Sequence, residues 1–229
     1  MLRKKKDFTR KAEIKPQGMT AKFYEAQAWF EKYQREVIIG AVVLVVAVGA
    51  FFLMQYYKGL DNEKASLELA KAISIYDSGS YVEAIDSRPG SNIKGLKTLA
   101  EQYDGTANGE TAKIYLANSY YALGKYEDAK NYYDDYSGDN SMLKAAALAG
   151  LAACYEAEKN SEEAAAYYVK AADASEDAVF KPQYLLYAGI NYLQTGDKEK
   201  AEQLFKTVKK DFKNSAFVRD IDRYLAQVQ

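Results

Sequence analysis

One uninterrupted apolar segment constrains the fold more than any other feature of this sequence. Residues 37–54, VIIGAVVLVVAVGAFFLM, contain no charged side chain, and residues 55–57 add none. As a helix rising about 1.5 Å per residue, this segment spans about 27 Å, which is close to the hydrocarbon thickness of a bilayer. The sequence therefore predicts a transmembrane helix at residues 37–57.

Two other interpretations of this segment agree less well with the residues. A buried helix of a soluble protein is seldom so evenly apolar on every face. A cleaved signal peptide has a short basic start and a small-residue cleavage site after its apolar core. Here 36 residues precede the segment, and FFLMQYY at 51–57 offers no such site. An uncleaved membrane anchor is therefore preferred.

The apolar segment separates two regions of opposite charge. Residues 1–36 carry ten Lys and Arg against five Asp and Glu, a net of +5, whereas residues 58–229 carry a net of −6. Because the basic flank of an anchor stays in the cytoplasm, the N-terminus is predicted to be cytoplasmic and the acidic body exported. We predict a disordered basic arm at 1–19 and an amphipathic juxtamembrane helix at 20–36.

The composition argues against several kinds of active site. The chain has no histidine, which removes the commonest general base and metal ligand, and a single cysteine, Cys154. Cys154 is predicted to be a small buried hydrophobe, because no histidine or basic neighbour would lower its pKa. We predict no catalytic residue, no cofactor, no metal, no small-molecule substrate and no nucleic-acid partner.

The acidic body contains an internal repeat. Three segments superpose, LANSYYALGKYEDAKNYY at 116–133, LAACYEAEKNSEEAAAYY at 151–168 and AGINYLQTGDKEKAEQLF at 188–205. Tyrosines, small residues and second-helix aromatics recur in register at Tyr120, Tyr155, Tyr192, Ala117, Ala152, Gly189, Ala129, Ala164, Ala201, Tyr133, Tyr168 and Phe205. Small residues let two helices pack closely, and Gly124 and Gly196 supply the turn between them.

This spacing resembles the tetratricopeptide repeat (TPR) family, although Lys113, Leu148 and Leu185 stand where its first-helix tryptophan is usual. The resemblance implies an all-α solenoid of about four helical hairpins with a C-terminal capping helix. Within a TPR domain at 58–229, we place a degenerate repeat at 61–106, repeats at 110–137, 143–175 and 182–212, and the capping helix at 215–229. Thr106 and Ser215 are expected to end one hairpin and cap the next helix.

The layout of basic arm, single anchor and exported TPR body is similar to the ancillary Sec-translocon subunit family (YfgM-like) of the bacterial inner membrane. That resemblance implies a non-enzymatic, single-pass inner-membrane scaffold with a periplasmic TPR domain. Its implied partners are the Sec translocon, a periplasmic chaperone and exported client proteins. The alternative is an envelope sensor that signals to a cytoplasmic partner through the basic arm.

The repeat register also predicts a partner-binding groove on the concave side of the first helices. Its residues are Ile114, Asn118, Tyr121, Ala149, Ala153, Glu156, Leu186, Ile190 and Leu193. Such a surface, largely apolar with one amide and one phenol, suits an apolar or extended peptide segment. Alternatively, a capping helix or a neighbouring loop fills it. The paired Lys and Asn residues that would hold an acidic peptide tail are absent from these positions.

Overall fold

A computed structural model describes residues 18–176 and 179–228 of the chain. Helices are the only regular elements in these ranges. They are α1 (Met19–Asp77), α2 (Tyr81–Asp86), α3 (Leu96–Gln102), α4 (Ala107–Ala122), α5 (Tyr126–Asp134), α6 (Ser141–Ala157), α7 (Ser161–Ala174), α8 (Lys181–Thr195), α9 (Lys198–Asp211) and α10 (Val218–Val228). The predicted all-α class is confirmed for the described residues, whereas the four-hairpin solenoid stays a prediction. Most of the basic arm lies outside them.

The structure divides into two compact units, the first ending at Tyr56 and the second beginning at Tyr57, and α1 contributes to both. In the first unit the large side chains of residues 38–54 are exposed, from 46% for Val48 to 70% for Val45, and Val37 is half-buried. Among the described residues, α1 is the one helix long and apolar enough to cross a membrane. Length and composition alone make it a candidate membrane span.

Helix α1, at Met19–Asp77, is longer than the adjoining helical segments predicted at 20–36 and 37–57. It continues through both segments because no proline lies between Pro16 and Pro89. Its one irregular position is Tyr33, where φ is −113° and ψ is 19°. The predicted boundaries at 36 and 57 are therefore not helix ends, and they stay predictions about what surrounds the helix.

The second unit is held together by four overlapping apolar clusters. The end of α1 joins α2, α3 and α4 in the first cluster, and α4, α5 and α6 share the second. Helices α6, α7 and α8 share the third, and α7 to α10 share the fourth. Neighbouring clusters have helices in common, and each helix from α2 to α9 packs against the helix that follows it.

The turns between helices follow local sequence signals. Gly124 and Gly196 adopt left-handed φ values of 72° and 85°, as the repeat predicts, and Lys159 takes the same conformation at 64°. The predicted cap at Thr106 is confirmed, since its Oγ1 accepts a hydrogen bond from the Gly109 N–H at 3.1 Å. Ser215 is not the cap of α10, because that helix begins three residues later at Val218.

An ionic network around the buried Lys113 links α4 to the residues just after α3 and α5, where Asp104 and Asp135 are exposed. The Lys113 Nζ lies 2.8 Å from Asp104, 3.0 Å from Glu110 and 2.9 Å from Asp135. Glu110, which is also buried, accepts a hydrogen bond from the Ser137 N–H at 2.7 Å. Although desolvation lowers it, these three carboxylates raise the pKa of Lys113 above its usual value. The lysine therefore stays charged inside the core.

Candidate protein-binding groove

The nine predicted groove residues lie on α4, α6 and α8 with very different exposure. Ile114 and Leu186 are buried, with 5% and 3% of their surfaces exposed. Tyr121, at 37%, and Glu156 are exposed. The remaining five residues are half-buried, namely Asn118, Ala149, Ala153, Ile190 and Leu193. Tyr121 and Glu156 are thus the predicted groove residues that a partner could reach most fully.

These nine residues belong to different parts of the core. Ile114 packs in the apolar cluster shared by α4, α5 and α6. Leu186 packs in the cluster of α7 to α10, and Ile190 and Leu193 pack at its edge. The structure thus places the α4 and α8 members in separate cores. Whether they form one continuous binding groove stays a prediction.

Two buried tyrosines on the second helices of their repeats donate hydrogen bonds to the polar groove residues Asn118 and Glu156. Tyr133 on α5 donates a hydrogen bond from its hydroxyl to Asn118 Oδ1 at 2.5 Å. Tyr168 on α7 donates one to Glu156 Oε2 at 2.9 Å. Both tyrosine side chains are buried, so each hydroxyl is fixed beneath its acceptor. The amide and the carboxylate are therefore oriented by the core.

The repeat at 182–212, the third of the regular repeats, lacks this arrangement. Phe205 occupies the position equivalent to Tyr133 and Tyr168, and it has no hydroxyl. Its ring packs where a side chain on Gly189 would otherwise lie. The groove positions of α8 are correspondingly apolar, with Ile190 and Leu193 in place of an amide and a carboxylate.

The repeat register identified Tyr133 and Tyr168 as equivalent second-helix aromatics, and the structure buries both. Sequence reasoning missed their hydrogen bonds to the groove residues. The available signal was the residue type, since tyrosine stands in the two repeats that have polar groove residues and phenylalanine stands in the third. A phenol in a tightly packed position usually has a hydrogen-bond partner.

Tyr121 completes the exposed part of the groove. Its ring lies 5.5 Å from that of Tyr126, at a tilt of 54°. Burial raises the pKa of the Tyr121 phenol above its usual value, and Tyr126, Cys154 and Glu156 add to the rise. Tyr121 on α4 and Glu156 on α6 hold the same register position in adjacent repeats.

The contact between the repeats at 110–137 and 143–175, here called the first and second repeats, depends on a small residue. The Tyr133 ring lies against Gly150 of α6, where any Cβ would overlap it. At the equivalent contact between the second and third repeats, Tyr168 meets the Tyr187 ring at a centroid distance of 5.4 Å. The two phenols are therefore fixed by different neighbours.

The remaining reactive groups are consistent with a structural role. Cys154 is fully buried, as predicted, and burial raises the pKa of its thiol to about 12. Such a thiol is protonated at neutral pH and is a poor nucleophile. Within the described ranges, no group of three or more His, Cys, Asp or Glu side chains is placed to hold a metal ion.

Alkaline pH is expected to destabilise the protein through Tyr133 and Tyr168. Burial raises the pKa of both phenols above the ordinary value, and the Glu156 charge adds to the rise at Tyr168. Each buried phenol therefore contributes its full stabilisation of the folded state below the unfolded pKa of about 10. That contribution is lost as the pH rises from there toward the higher pKa of the folded state. We expect the free energy of unfolding to fall by about 1.4 kcal/mol per pH unit for each of the two tyrosines.

Denaturant unfolding of the full chain over a pH series measures this slope. In the variant carrying both Tyr133→Phe and Tyr168→Phe, the free energy of unfolding should fall clearly less steeply with pH above about pH 10. An identical slope in parent and variant would contradict the prediction, because it would assign the alkaline loss to other groups.

A family model matches most of this chain. Its description is "Tetratricopeptide repeat-like domain", and the match covers residues 27–228, which include both the apolar segment of α1 and every helix from α2 to α10. No curated protein matches the chain.

Proposed function

Because the chain belongs to the tetratricopeptide repeat-like family, we propose that it is a membrane-anchored, non-enzymatic scaffold that binds other proteins in the cell envelope. Domains of this type are typically non-catalytic interaction domains, and stacked helical repeats offer extended concave surfaces to partners. The predicted groove on α4, α6 and α8, where Tyr121 and Glu156 are exposed, supports such a role.

The exposure of the apolar segment carries the membrane part of the proposal. None of the most apolar stretch of α1 is buried within the structure. An exposed apolar surface of this length needs lipid or a protein partner to cover it. The family match, over residues 27–228, includes this apolar segment.

The charge distribution supports an orientation. The net charge of +5 before the apolar segment favours a cytoplasmic N-terminus, and the acidic TPR domain would then lie in the periplasm. From the resemblance to ancillary Sec-translocon subunits, the proposed partners are the translocon, periplasmic chaperones and exported proteins.

A reporter fusion tests this topology. Alkaline phosphatase fused after Gln229 should be active, since that enzyme folds only after export, and the same fusion lacking residues 37–54 should be inactive and absent from membranes. An inactive full-length fusion found in the membrane fraction would contradict the proposed orientation. A soluble full-length fusion would contradict the anchor itself.

Crosslinking in intact cells, followed by mild solubilisation and purification, tests the scaffold role. We expect translocon or chaperone subunits to be recovered reproducibly, and their absence would contradict that assignment. Deleting residues 1–19 distinguishes the sensor alternative, because a scaffold should keep its partners without the arm.

Substitutions at Tyr121 and Leu193 should weaken capture without loss of helicity, whereas charges at the buried Ile114 and Leu186 would test folding instead.

A further inference from the structure

Within this proposed scaffold, we infer that Glu156, Tyr168 and Tyr121 form a subsite that binds a lysine or arginine side chain of the partner protein. The subsite rests on the proposed function, and it names the chemistry that the groove recognises. The inference comes from a second site in the same chain, where the same pair of groups already holds a lysine.

That second site consists of Tyr103, Glu68 and Lys94. The buried Tyr103 donates a hydrogen bond from its hydroxyl to Glu68 Oε2 at 3.0 Å. The Lys94 ammonium lies 2.9 Å from the same carboxylate oxygen and 5.4 Å from the centroid of the Tyr103 ring. The phenol thus orients the carboxylate, and the lysine binds both the carboxylate and the ring face.

The groove reproduces the first two members of this arrangement. Tyr168 and Tyr103 are equally buried, at 5% and 4% exposed, and their hydroxyls donate to glutamate oxygens at nearly the same distance. Glu156, however, is exposed and forms no ion pair with any residue that the structure describes. The position that Lys94 occupies beside Glu68 therefore has no counterpart beside Glu156 in the described part of the chain.

Other parts of the chain show the same preference of cations for a tyrosine ring beside a carboxylate. Lys130 lies 4.8 Å from the Tyr155 centroid and pairs with Glu158 at 2.9 Å. Lys200 lies 5.0 Å from the Tyr192 centroid and pairs with Asp197 at 2.8 Å. In the groove, Tyr121 is the exposed aromatic side chain, and it holds on α4 the register position that Glu156 holds on α6, so its ring is the one that would cover the bound cation.

The negative charge of Glu156 favours a partner segment with a positively charged residue. Glu156 is the one ionisable side chain besides the neutral Tyr121 phenol among the nine groove residues. An acidic segment would meet repulsion there, whereas a cationic residue gains a carboxylate that is already oriented. The half-buried Ala149, Ala153 and Leu193 leave room for small apolar neighbours. The expected ligand is therefore an extended segment with one Lys or Arg between apolar residues.

A peptide array tests this specificity with the full-length chain in detergent micelles. The array carries apolar peptides that differ only at a central position, which is lysine, arginine, norleucine or glutamate. We expect the parent protein to retain the lysine and arginine peptides about three- to tenfold more strongly than the norleucine peptides. Glu156→Gln should abolish this preference, and Glu156→Lys should shift it toward the glutamate peptides.

The matched control is Glu162→Gln, which removes an exposed carboxylate from α7 outside the groove and should leave the preference unchanged. Circular dichroism of each variant should remain helical, since Glu156 is exposed. If the parent and Glu156→Gln select peptides identically, the subsite is overturned while peptide binding and the scaffold proposal stand. If the parent retains no peptide of any class, the groove itself is overturned together with the subsite.

Discussion

Replacing Lys113 by leucine is expected to lower the free energy of unfolding by about 3–5 kcal/mol, because it leaves a buried charge without its partner. Lys113 and Glu110 are 4% and 3% exposed, and their charged groups lie 3.0 Å apart. Without the ammonium, the Glu110 carboxylate keeps its hydrogen bonds to Gly105 and Ser137 but loses its counter-ion. Denaturant unfolding of the full chain, followed by circular dichroism, measures the loss.

The second repeat provides the matched control for this prediction. Ala145 and Leu148 occupy the positions equivalent to Glu110 and Lys113. The double variant Glu110→Ala and Lys113→Leu copies that apolar pair, so it should recover most of the stability that the single variant loses. Buried ion pairs can often be exchanged for apolar residues at little cost, whereas half a pair cannot. A double variant no more stable than Lys113→Leu would contradict this account.

A double-mutant cycle between Gly189 and Phe205 is expected to give a large coupling energy. A Cβ on Gly189 would overlap the fully buried Phe205 ring, so Gly189→Ala should cost about 1–3 kcal/mol in the parent. In a Phe205→Leu background the overlap is relieved. There the same change should cost nothing, or should stabilise α8 by up to about 1 kcal/mol through helix propensity.

The control for this cycle is a helical glycine in open space. Gly59 lies within α1, and nothing would approach a Cβ built on it. Gly59→Ala should therefore leave the free energy of unfolding unchanged or slightly higher. If Gly189→Ala is equally harmless in the parent, or equally costly in both backgrounds, the proposed contact with Phe205 does not limit the packing of α8 and α9.

Features encoded by a few neighbouring residues could be predicted from the sequence. The Thr106 cap and the left-handed turns at Gly124 and Gly196 depend on local backbone chemistry, so short motifs were sufficient to locate them. The helical class followed from the periodicity of the repeats. The length of α1 did not follow, because a change of polarity along a helix does not end it.

Contacts between distant helices could not be predicted in the same way. The bonds from Tyr133 to Asn118 and from Tyr168 to Glu156 depend on how each helix is rotated about its axis, which periodicity fixes only coarsely. The burial of Lys113 depends on Asp104 and Asp135, which come from the ends of other helices. Ile114 has the register of a groove residue but is covered by its neighbours in the core.

The contacts between successive repeats differ from one junction to the next, and this limits how the repeats could be reordered or duplicated. Tyr133 needs the empty space at Gly150, whereas Tyr168 needs the ring of Tyr187 beside it. Joining the first repeat directly to the third would bring Tyr133 against Tyr187, and duplicating the second would leave Tyr168 opposite a glycine. The hairpins are therefore not interchangeable modules. Shuffled or duplicated versions of this chain should need a compensating change at each new junction.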